Sequence, residues 1–525
     1  MNEVRRIGDA ASRRLGPGEA ASRRLLKRNV LHFKQSGGTP LPLSPLPLSP
    51  LPLALLSLCV AATAVAAPYK FTVDCDEPAR MRKVGETTEF RITCEDLAKT
   101  NGFGGPVEVW LDNFGTNVLV RRTVCPEKGN PIVLRGTLTE PGFLRAVAMN
   151  PGSKTTFFGL GKGNVCASVG YEPEKIVQGL PCPDDFDAYW QGERKRLAAE
   201  VPLAATRERV TDYRKKGFVC WKVSFATFGG KRVWGFLTMP TEECGKVEGW
   251  KGGKVEGWKG GKVEGWKGGR VERWKGGKVR RYPLRVNVPG AGPAAVAASA
   301  GARPGEVSLT LNVHPFEPAA DAKGQKKLYE AQDVACRKRY GTTYATSGLG
   351  VSREEYFYHD IILGMDRAVD WAVALPEVDR SRVWYSGGSQ GGGFGMFLMG
   401  LNRNFTRGYV WICAIADHGG YRLGRIPGWP RLVQCNERNR AVAERFAPYF
   451  DACNFAARVK IPIRMSAGLS DCCCPPPAVW SAYNALGSVD KAIVPCPNVG
   501  HAIPSEVSAG FERWLKGEAA SRRLE

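Results

Sequence analysis

The chain has 525 residues, 43% of them hydrophobic and 24% charged, which suffices for two or three domains and excludes wholesale disorder or a collagen-like repeat. Its formal net charge of +23 invites an anionic partner, but residues 1–66 carry 9 basic and 3 acidic side chains, and residues 245–280 carry 11 and 4. Those two stretches hold more than half of the excess, so the rest is too mildly basic for a nucleic-acid-binding surface, and no nucleic-acid partner is expected.

Residues 1–66 read as a leader. Asp9 to Leu15 recurs as Glu19 to Leu25 and again as Glu518 to Leu524. A heptad shared by both ends, without a sustained apolar stripe, reads as a dispersed genomic repeat, and the tail 517–525 is set aside with it. The apolar run Leu51 to Ala67 contains Ala64-Val65-Ala66 and follows the basic Lys27, Arg28 and Lys34. These are the three regions of a secretory signal peptide, with cleavage expected after Ala66. The run is short for a membrane span and no charged cluster follows it directly, so no stable membrane insertion is expected after cleavage. The predicted location is secreted or periplasmic.

Between residues 68 and 175 the pattern is short β-rich runs separated by turn residues: Lys70–Cys75, Thr88–Cys94, Val107–Leu111, Val118–Val124, Ile132–Leu138, Phe143–Met149 and Val165–Tyr171. Seven runs at this spacing predict an all-β sandwich of immunoglobulin-like type. It holds no histidine and no catalytic constellation; carbohydrate binding and packing against the next domain are the two roles open to it, and packing is the expected one.

Over 176–516 strands alternate with helices. A charge-rich helix opens near Pro183–Trp190. Val233–Met239, Leu284–Val288, Val307–Val313, Val383–Ser386, Val410–Ala416, Ile461–Ala467 and Ala492–Cys496 read as buried strands. Between them Ile361, Ile362, Met365, Ala368, Val369, Ala372 and Val373 fall at helical spacing. The prediction is an α/β domain with a mostly parallel sheet covered on both faces. One segment breaks the pattern: an octad, Gly-Lys-Val-Glu-Gly-Trp-Lys-Gly, repeats from Gly245 to about Gly277 within a low-complexity insert at 245–280, with Trp250, Trp258, Trp266 and Trp274 in register. Interleaved cations and aromatics could hold an acidic polysaccharide or a single-stranded nucleic acid. Near-identical Gly-rich units point instead to recent tandem duplication in a tolerant loop.

The strongest chemical signal is Val383-Trp-Tyr-Ser-Gly387-Gly388-Ser389-Gln390-Gly391. An apolar strand enters a Gly-x-Ser-x-Gly turn and a small-residue helix follows, which is the context a nucleophile elbow requires. Gly387, Gly388 and Gly391 leave room for the tight turn and the close helix, and Ser389 is the candidate nucleophile. A serine needs a base and the base needs an orienting acid, which in such folds follow in the order acid, then histidine. Of five histidines, His32 lies in the leader, His314 and His359 precede the nucleophile, and His418 comes one strand after it. His501, behind the last predicted strand, is the candidate base. Asp471, behind the penultimate strand in a loop stiffened by Pro475, Pro476 and Pro477, is the candidate acid, with Asp417 as the alternative. Two oxyanion donors are expected from the backbone N–H groups of Gln390 and, in Pro289-Gly290-Ala291-Gly292, of Ala291.

Sixteen cysteines fit an oxidising compartment, and fifteen would remain after cleavage, so at least one stays unpaired. The triplet Cys472-Cys473-Cys474 is not read as a metal site. Adjacent cysteines wrap one zinc ion poorly, and no Cys-x-x-Cys pair or histidine cluster stands nearby in the sequence.

Together Phe186-Asp-Ala-Tyr-Trp190, Leu375-Pro-Glu-Val-Asp379, Gly388-Ser389-Gln390-Gly391-Gly392, Asp471 with Cys474-Pro475-Pro476, Tyr483-Asn484 and Gly500-His501 resemble the acetyl xylan esterase and cephalosporin-C deacetylase family of α/β-hydrolases. The resemblance spans about 176–516 and implies a triad of Ser389, Asp471 and His501, matching the choice made from the residues. It implies a carboxylic ester hydrolase with no cofactor and no metal. Acetylated plant polysaccharide or oligosaccharide, xylan above all, is the implied substrate. Members tend to form closed hexamers, so a homo-oligomer is implied as well. Two departures border the pocket. Members usually carry His-Gly-Tyr where this chain has Pro289-Gly290-Ala291, and Arg-Gly-Gln where it has Asn312-Val-His-Pro-Phe316. The expected function is an exported serine esterase acting through an acetyl-enzyme. The rival readings are a serine peptidase of prolyl oligopeptidase type, for which no β-propeller repeats are seen, and a glycan-binding surface protein with a vestigial hydrolase domain.

Overall fold

The structure, a computed structural model, describes residues 69–96, 105–155, 160–241, 280–293 and 301–518. The leader and signal-peptide reading over 1–66, the octads and the tail from residue 519 lie outside the described residues.

Residues 69–171 form strands β1 (Tyr69–Cys75), β2 (Met81–Arg82), β3 (Thr88–Asp96), β4 (Val107–Asp112), β5 (Val118–Val124), β6 (Ile132–Gly136), β7 (Gly142–Met149) and β8 (Val165–Tyr171). They pair as a three-stranded sheet, β1-β3-β6, and a five-stranded sheet, β2-β8-β7-β4-β5, antiparallel except for the short β2–β8 pair. Phe71, Val73, Phe90, Ile92 and Leu134 of the first sheet share a buried core with Val109, Leu111, Leu144, Ala146 and Val169 of the second. In β1 every second side chain is buried, as a strand with one covered face requires. β7 differs: all eight of its residues are buried, because its outer face is covered by the rest of the chain. There Phe143 meets Trp480 edge-on at 5.2 Å between ring centroids.

The remainder is mixed α/β. In chain order it runs α1 (Phe186–Glu200), β9 (Thr206–Arg209), β10 (Phe218–Ala226), β11 (Arg232–Pro240), β12 (Tyr282–Asn287), β13 (Val307–Leu311), α2 (Ala322–Tyr340), α3 (His359–Val373), β14 (Val378–Gly388), α4 (Gln390–Leu401), β15 (Arg407–Trp411), α5 (Arg440–Phe446), α6 (Ala452–Ala456), β16 (Ile463–Gly468), α7 (Pro476–Ala485), β17 (Lys491–Cys496) and α8 (Ser505–Lys516). Its nine-stranded sheet has the order β17-β16-β15-β14-β12-β13-β11-β10-β9. The six strands from β17 to β13 are parallel, while β11, β10 and β9 complete the sheet antiparallel. Helices cover both faces: α3, α4 and α6 bury one apolar layer, and Phe511, Trp514 and Leu515 of α8 pack on Trp384 and Tyr409 on the other.

Every apolar residue of the predicted helical stripe, Ile361 to Val373, is buried in α3. β14 reads in the sequence as four residues but is eleven long. The strands β9 and β10 are additional to the predicted set. β9 is Thr-Arg-Glu-Arg, exposed throughout at the sheet edge, so hydrophobic patterning does not mark it.

The sheet has two distinct ends. Ser389 follows Gly388 at the carboxyl end of β14. Pro240, at the end of β11, and Tyr282, at the start of β12, both lie toward the amino ends of the parallel strands, since Thr238 pairs with Ser308 and Leu284 with Val307.

Candidate active site

β14 delivers its last two glycines and Ser389 into a sharp turn, and α4 begins at Gln390. Ser389 takes φ 55 and ψ −124, so the unusual backbone conformation sits on the serine itself. Gly387, Gly388 and Gly391 are not at positive φ; they serve close approach. A Cβ at Gly388 would lie 2.0 Å from Nε1 of Trp411, and one at Gly391 would lie 1.9 Å from the carbonyl oxygen of Val288. Backbone hydrogen bonds fix the turn: Ser389 N–H donates to Trp411 O (3.1 Å), while Ala414 N–H (3.0 Å) and Gly393 N–H (3.2 Å) donate to Ser389 O.

Three loops behind parallel strands meet here. The Oγ of Ser389 is 2.9 Å from His501 Nε2, and His501 Nδ1 is 2.8 Å from Asp471 Oδ2. Asp471 is buried, and its other oxygen accepts the N–H groups of Cys473 (2.8 Å) and Cys474 (3.0 Å). That arrangement leaves the acid one way to face and orients the imidazole through Nδ1. Burial pushes the His501 imidazole down, but the hydrogen bond and charge of Asp471, aided by Cys473, outweigh it and hold its pKa above the ordinary histidine value. A serine hydroxyl, an imidazole and a carboxylate in one line are equipped to activate an oxygen nucleophile and to return its proton to a leaving group.

Gln390 is fully buried, and its side-chain oxygen accepts from the hydroxyls of Tyr344 (3.0 Å) and Tyr358 (2.7 Å). These two tyrosines, from the segment joining α2 to α3, had no local signal in the sequence because they act through a residue more than thirty positions away. The 289–291 turn lies beside the serine: a Cβ at Gly290 would stand 3.9 Å from Ser389 Cβ, and Ala291 follows it on the exposed rim.

The remaining candidates are occupied elsewhere. Asp417 is buried in an ion pair with Arg425 (2.8 Å) and accepts Gly179 N–H (2.7 Å). His418 faces the Phe450 carbonyl at 3.3 Å. His359 sits between Glu193 (3.0 Å) and Asp360 (2.8 Å), stacked on Trp190. His314 stacks on Phe316 with Nδ1 2.8 Å from Gln332 Nε2, and burial lowers its pKa to about 4. The cysteine triplet does have a histidine neighbour, because the chain brings a ring nitrogen of His501 and the sulfurs of Cys473 and Cys474 within 4.8 Å of one another. Both ring nitrogens of His501 are already engaged by Asp471 and Ser389, so an ion there would have to break that line.

Comparison with known proteins places the chain among relatives. The acetyl xylan esterase family model matches residues 173–251 and 316–517. The curated acetyl esterase Axe7A of Xylanibacter ruminicola is 25% identical over 398 residues, covering 75% of this chain and 78% of that protein. Among solved structures, an acetyl xylan esterase from a Paenibacillus species is similar at 21% identity and a TM-score of 0.49, covering 66% of this chain and 98% of the other. Acetyl xylan esterase 1 from a Thermoanaerobacterium species shows 17% identity and a TM-score of 0.47 over the same shares.

Proposed function

The chain belongs to the acetyl xylan esterase family, and from that membership we propose an exported serine esterase that removes acetyl groups from acetylated xylan or xylo-oligosaccharides through an acetyl-enzyme. Ser389 Oγ attacks the acetyl carbonyl while His501 Nε2 takes its proton, and Asp471 holds the imidazole by Nδ1. The N–H groups of Gln390 and Ala291 bind the oxyanion, each such donor being worth about 3 kcal/mol in the transition state. His501 then protonates the departing sugar oxygen. Water, activated by the same imidazole, attacks the acetyl-enzyme, and acetate leaves as Ser389 recovers its proton. No cofactor enters these steps.

The observation that carries this reading is the continuous hydrogen-bonded line from Ser389 through His501 to Asp471 in a chain of this family. In the same reading, residues 68–175 are an immunoglobulin-like domain packed on an α/β-hydrolase domain at 176–516, and the mature chain starts after Ala66. No helix among the described residues is long and apolar enough to cross a membrane.

The test is hydrolysis of acetyl and butyryl esters by wild type and by Ser389→Ala. One methylene against a tight wall changes specificity by about 1–3 kcal/mol, so acetyl should be preferred clearly over butyryl. The alanine variant should lose turnover by roughly 10⁶-fold. Short-ester hydrolysis that survives loss of the Ser389 hydroxyl would overturn the mechanism.

A further inference from the structure

The line between Asp471 and the β7–β8 sheet carries chemistry that ester hydrolysis does not use. Cys166 and Ser168 lie two residues apart on β8, so both project from one face, and that face meets the loop bearing the acid. Ser168 Oγ donates to Leu469 O (2.5 Å), and the Cys166 thiol reaches Ser470 O (3.4 Å). The next sulfur along that loop is Cys472, whose Sγ stands 3.6 Å from the Sγ of Cys166. Cys472 packs with Trp110, Val147 and Met149 of the β-rich sheet, not with the hydrolase core alone. We infer that Cys166 and Cys472 form a disulfide that staples the loop carrying Asp471 to strand β8.

The surroundings favour this pair over its neighbours. Adjacent cysteines have Cα atoms about 3.8 Å apart, short of the roughly 4.4–6.8 Å a disulfide takes up, so linking Cys472 to Cys473, or Cys473 to Cys474, is strained. Arg145 on β7 is locked in a two-pronged pair with Asp112 (2.9 and 2.6 Å) and turns its remaining nitrogen to Cys472 Sγ at 3.4 Å. The hydrogen bond from Cys166 and the charge of Arg145 lower the Cys472 thiol pKa against the opposing effect of burial. Cys472 is also the more exposed of the two, which makes it the attacking thiolate.

With a small disulfide such as oxidised glutathione the step balances. The Cys472 thiolate attacks one glutathione sulfur, the S–S bond breaks, and one glutathione thiolate leaves. Cys166 then gives up its proton and attacks Cys472 sulfur in the mixed disulfide, releasing the second. Two protein thiols are oxidised and one small disulfide is reduced to two thiols.

The staple closes a separation of 306 residues, and long closed loops gain most from cross-linking. Full-length protein incubated with oxidised glutathione, alkylated and digested should yield Cys166 and Cys472 in one linked peptide pair. The oxidised protein should melt about 5 °C above the dithiothreitol-reduced protein, and Cys166→Ser should remove most of that difference while keeping the acetyl-ester turnover of the reduced wild type. If Cys166→Ser does not fold, Cys472→Ser gives the same comparison, and the peptide map needs no variant. Folded, oxidised protein with no such link, with Cys472 linked elsewhere, or with the full shift retained in the serine variant would overturn the staple. The map reads the same whether or not the chain hydrolyses esters, so an idle acetyl-ester assay on that sample would count against the proposed function alone.

Discussion

His501 joins two opposite pH dependences in one side chain. Its pKa stands above the ordinary histidine value because Asp471 outweighs burial. A base must be unprotonated to work, so kcat/KM is expected to climb as pH rises through that raised value. The stabilising contribution runs the other way. The charged pair favours the folded state fully below the unfolded histidine pKa and is lost as pH rises through the folded one. Asp471→Asn removes the carboxylate, so the acid limb of the pH–rate profile should move to lower pH while turnover falls by roughly 10⁴-fold through loss of the productive imidazole orientation. A profile whose limb stays in place in that variant would mean that the limb belongs to another group. Only half of this site was legible along the chain. Ser389 announces itself because strand, glycines and helix are contiguous, and His501 and Asp471 follow from strand order. Tyr344 and Tyr358 behind Gln390, and His501 beside Cys473, depend on loops that meet only after the sheet is assembled.

Among the elements, α8 shows how the last helix is set against β12, the strand that leads to the 289–291 turn beside Ser389. Arg285 in β12 is wholly buried and spans two acids: Glu306 at 2.9 and 3.0 Å, and Glu512 of α8 at 2.9 and 3.0 Å. Arg303 (3.2 Å) and the Tyr409 hydroxyl (2.5 Å) also reach Glu512. Truncating one partner of a buried ion cluster leaves an uncompensated charge, so Arg285→Ala should cost about 3–5 kcal/mol in urea unfolding. Replacement by Met, which fills the space without a charge, should still leave the buried Glu306 unpaired and recover little. Equal midpoints for Arg285→Ala and wild type would show that water already serves both acids. Patterning in the sequence locates β12, because its apolar positions recur at strand spacing. An arginine in a buried strand looks like a flaw in that pattern until Glu306 and Glu512 arrive from 21 and 227 residues away. β10 escaped although only Lys222 and Ser224 break its apolar run, and it pairs with β11 along nine residues.

Across the whole molecule, the two β-sheets of residues 69–171 and the nine-stranded sheet are not independent bodies. Phe143 lies in the hydrolase core, Ser168 holds the Leu469 carbonyl, and Arg145 reaches Cys472. A boundary at 175 is therefore visible in composition but crossed by packing, since sequence runs mark where strands give way to helices and say nothing about which faces touch. The two ends of the large sheet differ in another way. The chain leaves β11 at Pro240 and re-enters at Tyr282, toward the amino ends of the parallel strands, while Ser389 stands at a carboxyl end. Deleting residues 245–277 is accordingly expected to leave kcat/KM on acetyl esters within about twofold of wild type; a large loss would tie the octads to the chemistry. The same separation makes the junctions at Pro240 and Tyr282 a grafting point: an affinity tag or a dye spliced between these two strands is expected to leave acetyl-ester turnover unchanged.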